Sequence, residues 1–174
     1  MEVMEVVAQL MALSARTAPK AGGKDYIVTK IVTGEDLERL ADAMIDYGKQ
    51  TGKINFDRDA DSIRRSQALL LIGLRAPATA GLNCGACGFA RCQDLEEAAS
   101  PQMVEFPGPW CAWRIIDLGI ALGSAAKMAS LLNADNRIMY RAGVVAKRMG
   151  LVSANLVCGI PISATGKSIY FDRG

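Results

Sequence analysis

The chain has 174 residues, 51% of them apolar, which is enough for one domain with a real core and cramped for two. Its 20 basic and 18 acidic residues are interspersed and leave a formal charge of +2, so no strong field points to nucleic acid or an anionic membrane as partner. Histidine is absent, which removes the Ser-His-Asp triad, the Cys-His dyad and every His-containing zinc site.

The N-terminal segment carries Glu2 and Glu5 where a secretory signal needs positive charge, so it reads as the first helix of the fold. Val3, Val6, Val7 and Leu10 recur at helical spacing and predict a helix over 2–14, ending before Ala18-Pro19. The following PKAGGK is a turn, with Lys20 and Lys24 read as solvated charges unless a ligand uses them. Residues 26–32 are rich in β-branched side chains and predict a strand. Thr33 is placed to cap the next helix, with Asp36 at the capping-box position, Leu37, Leu40, Ala41, Met44 and Ile45 on one face, and Gly48 as the stop.

Residues 49–65 are polar and read as a surface loop with a short helix at most, whereas 68–74 (ALLLIGL) is the apolar run of a buried strand. Residues 113–132 are apolar over about the ~20 residues that cross a bilayer, but Arg114, Asp117 and Lys127 would be costly there. The segment therefore reads as a central core helix, in which Gly119, Gly123, Ser124 and Ala125 permit close backbone contact. Ile138, Ala142, Val145, Ala146 and Met149 mark a further helix stopped by Gly150. Two strands close the chain, 155–160 and 168–171, with a turn containing Pro161 and Gly166 between them. Helices interleaved with strands predict a layered domain of helices on a sheet, spanning 1–174.

Chemistry concentrates in 81–111, which contains Cys84, Cys87 and Cys92 in a Cys-x2-Cys-x4-Cys run and then Cys111. Five cysteines is an odd number, and four crowd around a Gly-containing turn, so a metal centre fits better than a disulfide framework. A 4Fe-4S cubane needs four converging thiolates, and a compact loop supplies neighbouring ones. Gly85 and Gly88 let that loop adopt unusual dihedrals and turn bare N–H groups toward sulfur. Cys92 opens a helix continued by Leu95 and Glu96, and Pro107-Gly108-Pro109 constrains the return to Cys111. Zinc on four cysteines is the competing reading, although its usual paired Cys-x2-Cys knuckles are not repeated here.

GLNCGACGFARC with a later cysteine resembles the iron-sulfur motif of the corrinoid iron-sulfur protein large subunit and of the ferredoxin-like subunit of Rnf-type electron-transport complexes, with a different gap before the last cysteine. The chain as a whole is similar to an uncharacterised prokaryotic family described as containing a ferredoxin domain, including DLGIALGSAAK and GIPISATGKSIYFDR. Outside the cysteines, Ala15 to Gly23, Asp117 to Ala121 and Gly159-Ile160-Pro161 look like the corresponding segments of flavin-dependent nitroreductases. That second likeness implies an α+β fold, a nitroreductase-like mixed sheet flanked by helices with an inserted iron-sulfur loop. It also implies a homodimer joined through long helices, with FMN between subunits and its phosphate held by Arg16, Lys20 and Lys167; Arg173 is a further late basic residue. The chain is short for a flavin-binding member, and Gly22-Gly23 stands where many relatives have an Asn that contacts the flavin.

Three functions follow as expectations. The first is a cytoplasmic redox protein passing electrons through one 4Fe-4S cluster to a partner protein or small-molecule acceptor. The second is an FMN-dependent oxidoreductase fed by the cluster, and the third a non-enzymatic binding protein with a structural metal centre. Cys158 lies in an apolar run and reads as core, not ligand. Trp110 and Trp113 flank Cys111 and would shield a cluster, while Asp94, Glu96, Glu97 and Glu105 read as a solvated face more readily than as a docking patch.

Overall fold

The computed structural model describes residues 2–75, 78–98 and 104–171. Arg173, named above as a late basic residue, lies outside them. In chain order the elements are α1 (Val3–Thr17), a 3-10 turn (Ala21–Gly23), β1 (Ile27–Val32), α2 (Glu35–Thr51), α3 (Phe56–Arg64), β2 (Ala68–Leu74), α4 (Cys92–Glu97), α5 (Ala112–Leu131), β3 (Asp135–Asn136), α6 (Tyr140–Arg148) and β4 (Leu156–Ser163).

The strands form one sheet in the order β1-β2-β4-β3. β2 is buried along its whole length, and its alternation feeds two cores. Leu69 and Leu71 face a cluster built from α2, α3 and α6, with Leu40, Met44, Phe56, Ile63 and Val145. Leu70, Ile72 and Leu74 face the other side, against Met11 and Ala15 of α1 and Leu118, Ala121 and Ala125 of α5. The result is the α+β arrangement expected, a sheet flanked by helices, but among the described residues every pairing is antiparallel rather than mixed. A reason lies in the connection from β1 to β2, which runs out along α2 and back along α3. A single crossover helix would have given a parallel neighbour; a helical pair reverses the chain again.

Four local expectations are corrected by tertiary context. Thr33 does not cap α2: Gly34 takes the N-cap position with φ 58°, no side chain caps the helix, and Glu35, Asp36 and Glu38 meet the N-terminal dipole instead. Gly48 does not stop α2, which runs to Thr51 and ends on Gly52 in the left-handed region. Gly48 is small because α3 crosses there, and a Cβ would lie 2.9 Å from that of Phe56. β4 continues through Pro161 to Ser163. The pairing on its β3 side makes this possible: Asn136 pairs with Ile162 and Met139 with Gly159, and between them the ladder is broken where proline has no N–H to give. Residues 168–171 form no strand; Ile169 and Tyr170 instead tuck into the core, with the Tyr170 hydroxyl 2.9 Å from Ser66 Oγ and Arg137 donating to its carbonyl at 3.1 Å.

α5 is also not a central helix. One face lies on the sheet and on α1, while Ile115, Ile116 and Ile120 are exposed, and nothing lies within 4 Å of a Cβ built at Gly119 or Gly123. α1 shows a similar outer stripe of Val3, Val6, Leu10 and Leu13. No helix among the described residues is long and apolar enough to cross a membrane.

Candidate metal centre

Beyond Leu74 the chain leaves the sheet and enters an exposed loop that Thr79 ties to α4, its hydroxyl donating to Glu96 at 2.8 Å. The loop bends through left-handed backbone at Gly85 (φ 75°) and Gly88 (φ 88°), conformations glycine adopts without strain, and the turn closes with Gly88 N–H donating to the Gly85 carbonyl at 2.9 Å. Cys84 precedes this turn and Cys87 lies within it. Cys92 is the first residue of α4, as its sequence position suggested.

Asn83 and Cys92 hold each other reciprocally. The Asn83 N–H donates to Cys92 Sγ at 3.3 Å, and the Cys92 N–H donates to Asn83 Oδ1 at 2.8 Å. Arg91 bonds Asp94 in the next turn and holds that carboxyl below its ordinary pKa. Cys111 is buried at the N-cap of α5, and two residues further the Trp113 indole N–H donates to Cys84 Sγ at 3.3 Å. The Cys84 thiol is held below its ordinary pKa first by a hydrogen bond from the Ala86 backbone and then by Trp113. Charge on this sulfur is therefore already favoured.

The structure brings all four motif cysteines to one cavity of about 10 Å³, closed by Phe89 and Trp113 among others. All are free thiols. Among the described residues no group of three or more Cys, Asp or Glu side chains is arranged to hold a single metal ion. The donor chemistry fits an iron-sulfur cluster, with four soft ligands around one space and N–H groups aimed at two of the sulfurs. Cys158 lies apart on β4, and burial pushes its thiol up to about 11.

The acidic residues of this region are structural partners. Besides Asp94 and Glu96, Glu97 accepts from Gln93, and Glu105 takes both Tyr47 and Lys53.

Beside the cup lies a second pocket, open and mostly apolar, of about 360 Å³. Pro19, Lys20 and Gly22 line it from one side and Ile116, Asp117 and Ile120 from the other; Leu82 and Trp113 line both spaces. Lys20 is not a solvated charge: its side chain is 6% exposed, and its ammonium donates to the Ala15 and Arg16 carbonyls at the end of α1. Arg16 pairs with Asp25 and donates to the Ile27 carbonyl. Lys167 is exposed at the bend after β4 and does not line this pocket. That bend lies beside Gln67 at the start of β2, whereas Ile27 pairs with Leu74 at its end. Within one chain, then, Arg16 and Lys20 are neighbours, and Lys167 is roughly 20 Å away along a strand.

The brace beneath both spaces was not foreseen. Arg114, 1% exposed, donates to Asp117 Oδ2 at 2.8 Å, to the Ala21 carbonyl at 3.0 Å and to the Thr79 carbonyl at 3.4 Å, and stacks on Tyr26. Asp117 in turn accepts from the Ala21 N–H at 2.8 Å. Two opposite charges one turn apart in an otherwise apolar helix were the visible signal.

Comparison with known proteins gives two kinds of likeness. The family model described as "Uncharacterized protein containing a ferredoxin domain" matches residues 107–173. A protein of Archaeoglobus fulgidus is 49% identical over 172 residues, covering 99% of this chain and 92% of its own length. Among solved structures, the FMN-dependent nitroreductase NfnB from Mycobacterium smegmatis, in complex with NADPH, superposes with a TM-score of 0.62 at 12% identity, covering 98% of this chain and 82% of its own. A BluB-like flavoprotein from Clostridium difficile gives 0.56 at 13%, covering 97% and 85%. A nitroreductase with bound FMN from Desulfitobacterium hafniense gives 0.57 at 13%, covering 96% and 80%. The fold is that of the nitroreductases.

Proposed function

Since the chain belongs to the family described as containing a ferredoxin domain, we propose that it is a redox protein whose Cys84, Cys87, Cys92 and Cys111 hold one 4Fe-4S cluster on a nitroreductase-type fold. The observation that carries this reading is the meeting of the four thiols at one cavity. A bound cluster would supply one-electron chemistry between a reduced donor and an acceptor, a partner protein or a small molecule. The chain's residues bind the irons through thiolates, donate hydrogen bonds to sulfur from Asn83 and Trp113, and limit water with Phe89 and Trp113. An odd number of cysteines, four of them gathered in one motif, argues against a disulfide framework and supports a cytoplasmic protein.

A second reading has a specific observation behind it. The 360 Å³ pocket shares a wall with the cup, and structures of this fold carry FMN, so a flavin there would make the chain an oxidoreductase fed by its own cluster. The outer apolar faces of α1 and α5 support a homodimer. Anaerobic reconstitution with iron and sulfide tests the first reading: about four irons per chain and an absorption that bleaches with dithionite are expected. A colourless protein holding stoichiometric zinc would leave only a structural metal centre. Titration with FMN separates carrier from flavoenzyme, since quenching of flavin fluorescence is expected only from the latter.

A further inference from the structure

Trp113 is the residue at which the cup and the neighbouring pocket meet. Its ring lines both spaces, and its indole N–H donates to Cys84 Sγ at 3.3 Å. It stands in the first turn of α5, a 20-residue helix packed on α1 and the sheet, so the donor is carried by a rigid element while Cys84 sits in an exposed loop. Trp110, the other tryptophan of this segment, spends its N–H on the Pro107 carbonyl at 2.5 Å. The two indoles near Cys111 are thus chemically distinct, one bonded to sulfur and one to backbone.

We infer that Trp113 is a positioning residue that sets the reduction potential of the centre through its N–H···S bond to Cys84. This rests on the cluster reading above. One-electron reduction adds negative charge that spreads onto the ligand sulfurs, and a fixed donor stabilises the reduced form more than the oxidised one. Hydrogen bonds to sulfur are among the factors that set such potentials. Removing the donor while keeping an apolar ring therefore lowers the potential without admitting water.

The test is an EPR-monitored titration with dithionite on reconstituted wild type, Trp113→Phe and Trp110→Phe. Trp113→Phe is expected to keep its cluster and shift its oxidised-to-reduced ratio about tenfold toward oxidised at a given potential, about 59 mV downward for a one-electron couple. Trp110→Phe is expected to move little. Equal shifts in the two variants, or none in Trp113→Phe, would overturn the inference while leaving the cluster reading intact. A wild type that takes up no cluster defeats both. A measurement that does not depend on the variant folding uses protein labelled with 15N-indole tryptophan: the reduced centre is expected to show a 15N hyperfine coupling that persists in Trp110→Phe, and its absence would refute the N–H···S bond.

Discussion

Replacing Arg114 with methionine removes the guanidinium that braces the floor of both pockets. Asp117, 4% exposed, would keep only the Ala21 N–H as partner, and the Ala21 carbonyl would lose its guanidinium donor and keep only the long contact from the Lys24 N–H at 3.5 Å. Breaking a buried ion pair from one side costs about 3–5 kcal/mol, because the remaining charge stays desolvated. In a chain of 174 residues that corresponds to a loss of roughly 6–20 °C in Tm. The double variant R114M/D117L separates charge from packing: an apolar pair of similar volume is expected to recover at least about half of the loss, leaving roughly 1–3 kcal/mol for the orphaned Ala21 amide. Thermal and urea unfolding of the metal-free protein, followed by circular dichroism, measures both. R114M costing under about 1 kcal/mol, or D117L adding to the damage rather than relieving it, would refute the account of Arg114 as a charge held by its partners.

Serine at Cys84, Cys87 or Cys92 is expected to abolish the absorption of the reconstituted protein, and Cys111→Ser to do the same; a full cluster in Cys111→Ser would remove that residue from the ligand set. In the metal-free protein, alkylation followed by mass spectrometry should label Cys84 at a lower pH than Cys158, since hydrogen bonds from Ala86 and Trp113 lower the first thiol and burial raises the second to about 11. Gly143→Ala should cost about 3 kcal/mol or yield little folded protein, because the new Cβ would sit 1.9 Å from the Val157 carbonyl oxygen; denaturant unfolding reads the difference. The hydrogen bond and charge of Arg91 lower the Asp94 pKa, so the pair's contribution is present above the ordinary carboxylate range and lost as pH falls through the lowered value. An NMR titration should show Asp94 returning toward its ordinary midpoint in Arg91→Gln.

What the sequence revealed depends on how local the cause is. The run 68–74 reads directly as a buried strand because both faces of β2 are covered, and Cys92 reads as a helix start because the spacing around it is short-range. Gly48 and Pro161 misled for the opposite reason. Each carries a local breaker signal, but the crossing of α3 explains the glycine, and a gap in the β3 ladder tolerates the proline. The candidate site divides in the same way. The four cysteines were legible from spacing, whereas the Asn83–Cys92 exchange and the Trp113–Cys84 bond exist only once the loop has folded back onto α5.

The placement of the cup then bears on how electrons would leave it. Cys111 caps the same helix whose next turns carry Trp113, Ile116 and Ile120 into the neighbouring pocket and onto the exposed face. Arg114 and Asp117, between them, fasten that helix to the Ala21 turn and to Thr79 at the start of the cysteine loop. A ligand in the 360 Å³ pocket, or a second copy of the chain on the α1 and α5 faces, would thus touch the element that carries a cysteine and the sulfur-bonded indole. Coupling between cluster, pocket occupant and dimer would run through α5 itself. If occupancy of the pocket leaves the potential of a reconstituted cluster unchanged, the two spaces share a wall but not a function.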